Sequence, residues 1–134
     1  MRTRKMQQGF TLVEIMIVVA IIALLAAIAI PNLLRAKMTS NDALAKATLR
    51  AISTAAESYG TGNNGNFPGD ITSLVSATPP YLNTNYCTGA PFAGFTYDCT
   101  GMSSSGYTVI ATPLQINNTG STTETITSGG VLTP

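Results

Sequence analysis

One carboxylate stands inside a long apolar stretch of this sequence and is the group best placed to do chemistry. Residues 10–30 contain only two polar side chains, Thr11 and Glu14. A carboxylate inside a membrane span costs about 2.5–3.5 kcal/mol on insertion scales, so Glu14 needs a cationic partner or a route to the cytoplasmic headgroups. Cleavage between Gly9 and Phe10 would create a positively charged amine at Phe10. Charge pairing is far stronger in a low-dielectric medium than in water, so this amine and Glu14 are a predicted pair, within one chain or between neighbours.

The composition argues against several classes of function. The chain has 134 residues, enough for about one domain, with 7 Lys+Arg, 6 Asp+Glu and no His. Without His, the usual general base and the usual nitrogen ligand of metals are missing. A formal charge of +1 gives no general electrostatic reason to bind nucleic acid, and the aromatic residues are not interleaved with basic ones. We therefore predict a protein that is not an enzyme, has no cofactor or metal, and does not bind nucleic acid directly.

The apolar stretch is long enough to cross a membrane. As an α-helix, residues 10–30 would be about 31 Å long, which matches a hydrocarbon core of about 30 Å. Three basic residues precede the stretch and favour a cytoplasmic N-terminus, although Arg35 and Lys37 beyond its far end weaken that prediction. These three are Arg2, Arg4 and Lys5. A secretory signal peptide cleaved near 27–29 is the alternative, but its apolar core would be unusually long and interrupted by Glu14.

The residues around Gly9 resemble a known processing signal. The segment Lys5-Met6-Gln7-Gln8-Gly9, followed by Phe10-Thr11-Leu12-Val13-Glu14 and a continuous apolar helix, resembles the class III leader and N-terminal helix of type IV pilins and pseudopilins. In that family a prepilin peptidase cuts after the glycine and N-methylates the following phenylalanine. The resemblance implies cleavage between Gly9 and Phe10, N-methylation of Phe10, an assembly charge pair of Glu14 with the Phe10 amine, and a helix kink at Pro31.

The same resemblance implies partners and a location. The partners are identical subunits in a helical homopolymer, the prepilin peptidase, an inner-membrane assembly platform, and the lipid bilayer before assembly. The precursor is expected in the inner membrane and the product in an extracellular filament at the cell surface.

A second helical segment follows the apolar stretch and is amphipathic. Apolar residues between positions 38 and 59 recur at helical spacing, which indicates one face to be covered. They are Met38, Ala45, Leu49, Ile52, Ala56 and Tyr59. Pro31 lacks an N–H and crowds the carbonyl of Ala27, so it either kinks one long helix or begins a second helix, where proline is tolerated.

The remaining residues, 60–134, predict a small head. We expect a short helix at 71–77 capped by Asp70, and strands at 92–97, 107–112 and 122–127. Cys87 and Cys99 form a predicted disulfide, with two free thiols as the alternative; a bridge over so short a loop would stabilise the head by about 3 kcal/mol. The expected fold class is α+β: a long kinked N-terminal helix with a small antiparallel sheet, as in type IV pilins.

We accordingly divide the chain into a cleaved leader (1–9), a transmembrane and filament-core helix (10–30), an amphipathic continuation (31–59) and a β-rich head (60–134). The leading hypothesis is a structural subunit of a type IV pilus-like surface filament, serving motility, adhesion or DNA uptake. One alternative is a pseudopilin of a type II secretion-like system. Another is a single-span, membrane-anchored binding domain that never polymerises.

Overall fold

The computed structural model describes residues 9–134, so the predicted leader lies outside the described residues except for Gly9. It contains two helices and a four-stranded antiparallel sheet, which confirms the α+β class and the pilin-type arrangement. The elements are α1 (Leu12–Gly62), α2 (Thr72–Val75), β1 (Phe95–Asp98), β2 (Thr108–Pro113), β3 (Glu124–Thr127) and β4 (Val131–Thr133). The chain divides into two compact units, which meet at the Leu34–Arg35 junction within α1.

The first unit is the apolar half of α1. Its apolar side chains are exposed around the whole circumference of the helix, from Leu12 at 74% to Leu33 at 71%. Within the described chain, α1 is the one helix long and apolar enough to cross a membrane, and none of its most apolar window is buried. A helix that is apolar all round requires either lipid or other apolar helices as its surroundings.

Pro31 lies inside α1 without ending it. The helix runs continuously from Leu12 to Gly62, so the alternative of a second helix beginning at Pro31 is wrong. Proline has no N–H to donate to the carbonyl of Ala27. One residue on, the Asn32 side-chain amide donates to the carbonyl oxygen of Ile28 at 3.0 Å, adding a hydrogen bond beside this gap.

The second unit packs the amphipathic half of α1 against the sheet. Four residues of the predicted stripe are fully buried, while Met38 and Tyr59 are half-buried, which confirms the helical face. The buried four are Ala45, Leu49, Ile52 and Ala56. The sheet contributes Phe95, Val109 and Ile126 to the same core because alternate strand residues face one side.

The sheet is a meander in which each strand pairs with the next. Phe95 pairs with Pro113, Ala111 with Glu124, and Ile126 with Leu132. The three predicted strands are present with shifted ends, but β4 was not predicted. It follows a tight turn in which Gly129 and Gly130 have φ of 83° and 74°, values that favour glycine.

The loops of the head test the local predictions. Helix α2 is shorter than predicted, and its N-cap residue is Ile71 rather than Asp70. The Asp70 carboxylate, one residue earlier, still accepts a hydrogen bond from the Ser73 backbone N–H at 2.9 Å. The disulfide between Cys87 and Cys99 is confirmed, with the two Cα atoms 5.9 Å apart. It joins the long loop before β1 to the residue that follows this strand.

Candidate functional site

Three of the predicted site residues lie together at the start of α1. Gly9 and Phe10 precede the helix and are exposed, Phe10 to 85%, so the bond between them lies outside helical structure. Glu14 lies in the first turn of α1. Phe10 and Glu14 are thus at the same helix end, while Pro31 lies about 26 Å further along a helix with a rise of about 1.5 Å per residue. The disulfide cysteines belong to the second unit and take no part in this site.

Thr11 and Glu14 cap the helix reciprocally. The Glu14 Oε2 atom accepts hydrogen bonds from the Thr11 backbone N–H at 2.8 Å and from the Thr11 hydroxyl at 2.6 Å. In return, the Glu14 backbone N–H donates to the Thr11 hydroxyl oxygen at 3.2 Å. This is a capping box, which satisfies two backbone donors that the first turn of any helix leaves unpaired.

The role of Thr11 was missed in the sequence analysis. The signal was present, because a threonine followed three residues later by a glutamate at the start of an apolar run is the sequence pattern of a capping box. In an apolar medium the box matters more than in water, since no solvent is available to satisfy the free N–H groups. Glu14 therefore has a role within its own chain in addition to any role between chains.

The capping box leaves part of the Glu14 carboxylate available. Both bonds from Thr11 go to Oε2, and within residues 9–134 the Oε1 atom has no hydrogen-bond partner. A carboxylate can accept several hydrogen bonds, so one Glu14 can hold its own helix cap and still bind an ammonium group. An open, mainly apolar hollow of about 330 Å³ lies beside it, lined by Phe10, Glu14, Ile15, Ile17 and Val18. The site can thus pair with a cation and receive an apolar side chain.

The sequence around this site matches a known family profile. The profile of the prokaryotic N-terminal methylation motif matches residues 4–30, which include the Gly9–Phe10 junction and Glu14. The predicted resemblance to type IV pilins and pseudopilins is confirmed. The profile covers the start of α1 and not the head.

Curated relatives carry names from the same two groups. The type IV major pilin of Myxococcus xanthus is 54% identical over 52 residues, 39% of this chain and 24% of that protein. The type IV wide pilus major component of Thermus thermophilus is 49% identical over 57 residues, 42% of this chain and 44% of that protein. The type II secretion system core protein G of Escherichia coli is 38% identical over 90 residues, 64% of this chain and 61% of that protein. The chain therefore spans less than two thirds of each relative.

Proposed function

We propose that this protein is a structural subunit of a type IV pilus-like filament. Its precursor is inserted in the inner membrane through α1, a prepilin peptidase cuts between Gly9 and Phe10 and methylates the new N-terminus, and an assembly platform adds the mature chain to a surface fibre. The observation that carries the proposal is the Glu14 carboxylate at the end of the apolar helix, beside the predicted cleavage site. Within residues 9–134 one of its oxygens is free and the apolar helix is uncovered.

The exposed apolar half of α1 supports polymerisation. Its large apolar side chains are about half to three quarters exposed among residues 9–134, so the rest of the described fold does not bury them. Lipid and a bundle of identical helices are both apolar surroundings, and moving between them changes solvation little. A subunit can therefore leave the bilayer and join a helix-packed filament core without exposing this segment to water.

Glu14 supplies the register that apolar packing lacks. An incoming subunit whose Phe10 amine meets a neighbour's Glu14 forms a charge-assisted hydrogen bond in a dry environment. A subunit in the wrong register leaves a buried charge unpaired, which costs several kcal/mol. Because the capping box uses only Oε2, this pairing does not require the helix cap to break.

Intact-mass analysis of sheared surface material tests the processing step. The expected chain begins at Phe10 and carries one additional methyl group on its α-amine. Replacing Gly9 with a bulkier residue should leave the uncut precursor in the membrane fraction. A mature chain beginning at Met1 or near Pro31 would contradict the proposal.

Substitutions at Glu14 and Thr11 test the charge pair separately from the helix cap. Glu14→Gln keeps a side-chain acceptor for the capping box but removes the charge, whereas Thr11→Val removes the capping hydroxyl but keeps the charge. We expect Glu14→Gln and Glu14→Leu to insert in the membrane without forming filaments, and Thr11→Val to retain filaments. Normal filaments from Glu14→Gln would show that capping, and not pairing, is the role of Glu14.

A pseudopilin of a type II secretion-like system is the second candidate. It is favoured by the match to the Escherichia coli core protein G, which extends over more of this chain than the two pilin matches. Deleting the gene distinguishes the candidates: loss of surface fibres with normal protein secretion supports the pilus, whereas loss of secretion with intact fibres supports the pseudopilin.

A further inference from the structure

Three basic side chains of the described residues have no partner in the fold. The basic residues between positions 9 and 134 are all on α1: Arg35, Lys37, Lys46 and Arg50. Lys46 pairs with the buried Glu124 at 3.3 Å, and this is the one ion pair found in that range. Arg35, Lys37 and Arg50 are exposed and have no carboxylate within 4.0 Å.

The carboxylates of the second unit do not require these cations. Each of them already accepts hydrogen bonds from backbone N–H or hydroxyl groups of its own unit. Asp42 accepts from Ser121, Glu57 from Tyr107 and Gly129, Asp70 from Thr72 and Ser73, Asp98 from Thr100, and Glu124 from Thr122. The stability of the fold therefore does not explain why Arg35 and Lys37 are charged.

Arg35 and Lys37 lie where a membrane surface would be. They directly follow Leu33 and Leu34, the last exposed apolar residues of the first unit. The helix from Leu12 to Leu34 is about 33 Å long at about 1.5 Å per residue, close to the thickness of a hydrocarbon core of about 30 Å. Membrane orientation does not explain them either, because cations on this far side oppose the positive-inside rule.

The angle between the two side chains favours a ligand that surrounds the helix. Residues two positions apart differ by about 200° around a helix with 3.6 residues per turn. Arg35 and Lys37 therefore project from nearly opposite sides, and a single carboxylate of a neighbouring protein cannot reach both. A layer of lipid headgroups presents phosphate groups on every side.

We propose that Arg35 and Lys37 bind the phosphate groups of phospholipids in the outer leaflet of the inner membrane and so fix the depth of the unassembled subunit. The inference rests on the membrane-inserted stage of the proposed function. Long basic side chains extend from the helix to headgroups in this way, and arginine can bind phosphate with two parallel hydrogen bonds. Near an anionic leaflet, each such residue strengthens the association of the protein segment with the membrane surface about five-fold.

Arg50 is a matched control within the same helix. It is exposed and unpaired like Arg35, but it lies 15 residues further along α1, about 23 Å at about 1.5 Å per residue. That separation is more than twice the Debye length of about 8 Å at physiological ionic strength. Arg50 should therefore not reach the phosphate layer.

Solid-state NMR on the full chain in vesicles of phosphatidylethanolamine and phosphatidylglycerol tests the contact. With ¹³C in every guanidinium carbon, ¹³C–³¹P dipolar dephasing identifies arginines beside phosphate. The chain has four arginines, so Arg35→Gln should remove about one quarter of the guanidinium signal, all of it from the dephased fraction. Arg50→Gln should remove the same amount from the undephased fraction. The corresponding lysine label with Lys37→Gln tests the second cation, and circular dichroism verifies that α1 is intact in each variant.

The outcomes separate this inference from the proposed function. Loss of only undephased signal in Arg35→Gln would overturn the lipid contact, even if the protein forms filaments. A guanidinium-to-carboxylate contact between copies in assembled filaments, with no phosphate dephasing in vesicles, would assign Arg35 to a subunit interface and also overturn it. Phosphate contact in a chain that forms no filament would support the inference and remove the filament function.

Discussion

Leu25 and Leu49 lie on the same helix, yet Leu25 is 61% exposed and Leu49 is fully buried. The difference follows from the partners that each half of α1 has. The half that includes Leu49 presents one apolar face, and the sheet of the same chain covers it. The half that includes Leu25 is apolar around its whole circumference, and none of its most apolar window is buried by the described chain.

The acidic residues of the two units repeat this difference. Glu124 is 2% exposed and has its counter-ion, Lys46, within the chain at 3.3 Å. Glu14 has only the capping interactions of Thr11, and its other oxygen is free within the described residues. The second unit buries its own apolar face and pairs its own buried carboxylate. The first unit has an exposed apolar surface and a carboxylate with no cation beside it among the described residues. Filament assembly would cover that surface and supply the cation together.

The same substitution at Leu25 and at Leu49 tests this comparison most strongly. Leu49→Ala should lower the free energy of unfolding of the head by about 2–5 kcal/mol, because it removes buried methyl groups and leaves a cavity. Leu25→Ala should leave that free energy unchanged within about 0.5 kcal/mol, because Leu25 is 61% exposed and outside the core of the described residues. Urea unfolding of both variants in detergent, followed by tyrosine fluorescence, measures the two values. Equal losses would show that the two halves of α1 do not differ in this way.

Removing the disulfide tests whether the second unit depends on a covalent constraint that the first unit lacks. Cys87 and Cys99 are 12 residues apart in sequence, and opening so short a loop should lower the free energy of unfolding by about 3 kcal/mol on the loop-entropy account. Cys87→Ser with Cys99→Ser should therefore lower the urea midpoint of the head. The helicity of α1 in the first unit should not change, and melting of that helix in the variant would contradict the comparison.

The sequence predicted those features that depend on local pattern. Hydrophobic spacing identified the buried face of α1, and Asp70 bonds to the first turn of α2 although the N-cap itself is Ile71. The edge strand β4 was missed because it has only three residues, and its pairing depends on the turn at Gly129 and Gly130 rather than on its own alternation. Pro31 left two possibilities open, since proline is compatible with a helix start and with a helix interior at a cost, and only the whole structure decides between them.

The proposed assembly site at Glu14 was predicted from charge and not from hydrogen bonding. The isolated carboxylate of Glu14 was conspicuous because the surrounding residues are apolar. Its hydrogen bonds with Thr11 were not predicted, because an argument from charge alone does not consider the unpaired backbone N–H groups of the first helical turn. The burial of Glu124 could not be predicted either, since its ion pair with Lys46 joins residues far apart in sequence.

Two buried tyrosines of the head test a smaller effect. Each shows whether the second unit provides hydrogen-bond partners for its own buried polar groups. The Tyr107 hydroxyl bonds to Ser53 at 2.7 Å and to Glu57 at 2.9 Å, so Tyr107→Phe should lower the free energy of unfolding by about 2 kcal/mol. The buried Tyr97 hydroxyl has no hydrogen-bond partner within the described residues, so Tyr97→Phe should raise the free energy of unfolding by about 1 kcal/mol. Chemical denaturation of the two variants measures both values, and a loss of stability in Tyr97→Phe would reveal an unrecognised partner.

Alkaline pH should give the smallest change in stability of these tests. The first unit has no tyrosine, so ionisation of Tyr97 and Tyr107 should affect the second unit alone. Burial raises the pKa of Tyr97, and burial together with the neighbouring Glu57 raises the pKa of Tyr107. Above the ordinary tyrosine pKa of about 10, the unfolded chain releases these protons before the folded chain does. The unfolded state then binds fewer protons, so the stability of the head is complete below about pH 10 and falls as the pH rises through the higher folded values. Urea midpoints measured between about pH 8 and pH 11 should show this decline, and the slope should be shallower in Tyr107→Phe. An unchanged slope in that variant would mean that the Tyr107 hydroxyl is not the group responsible.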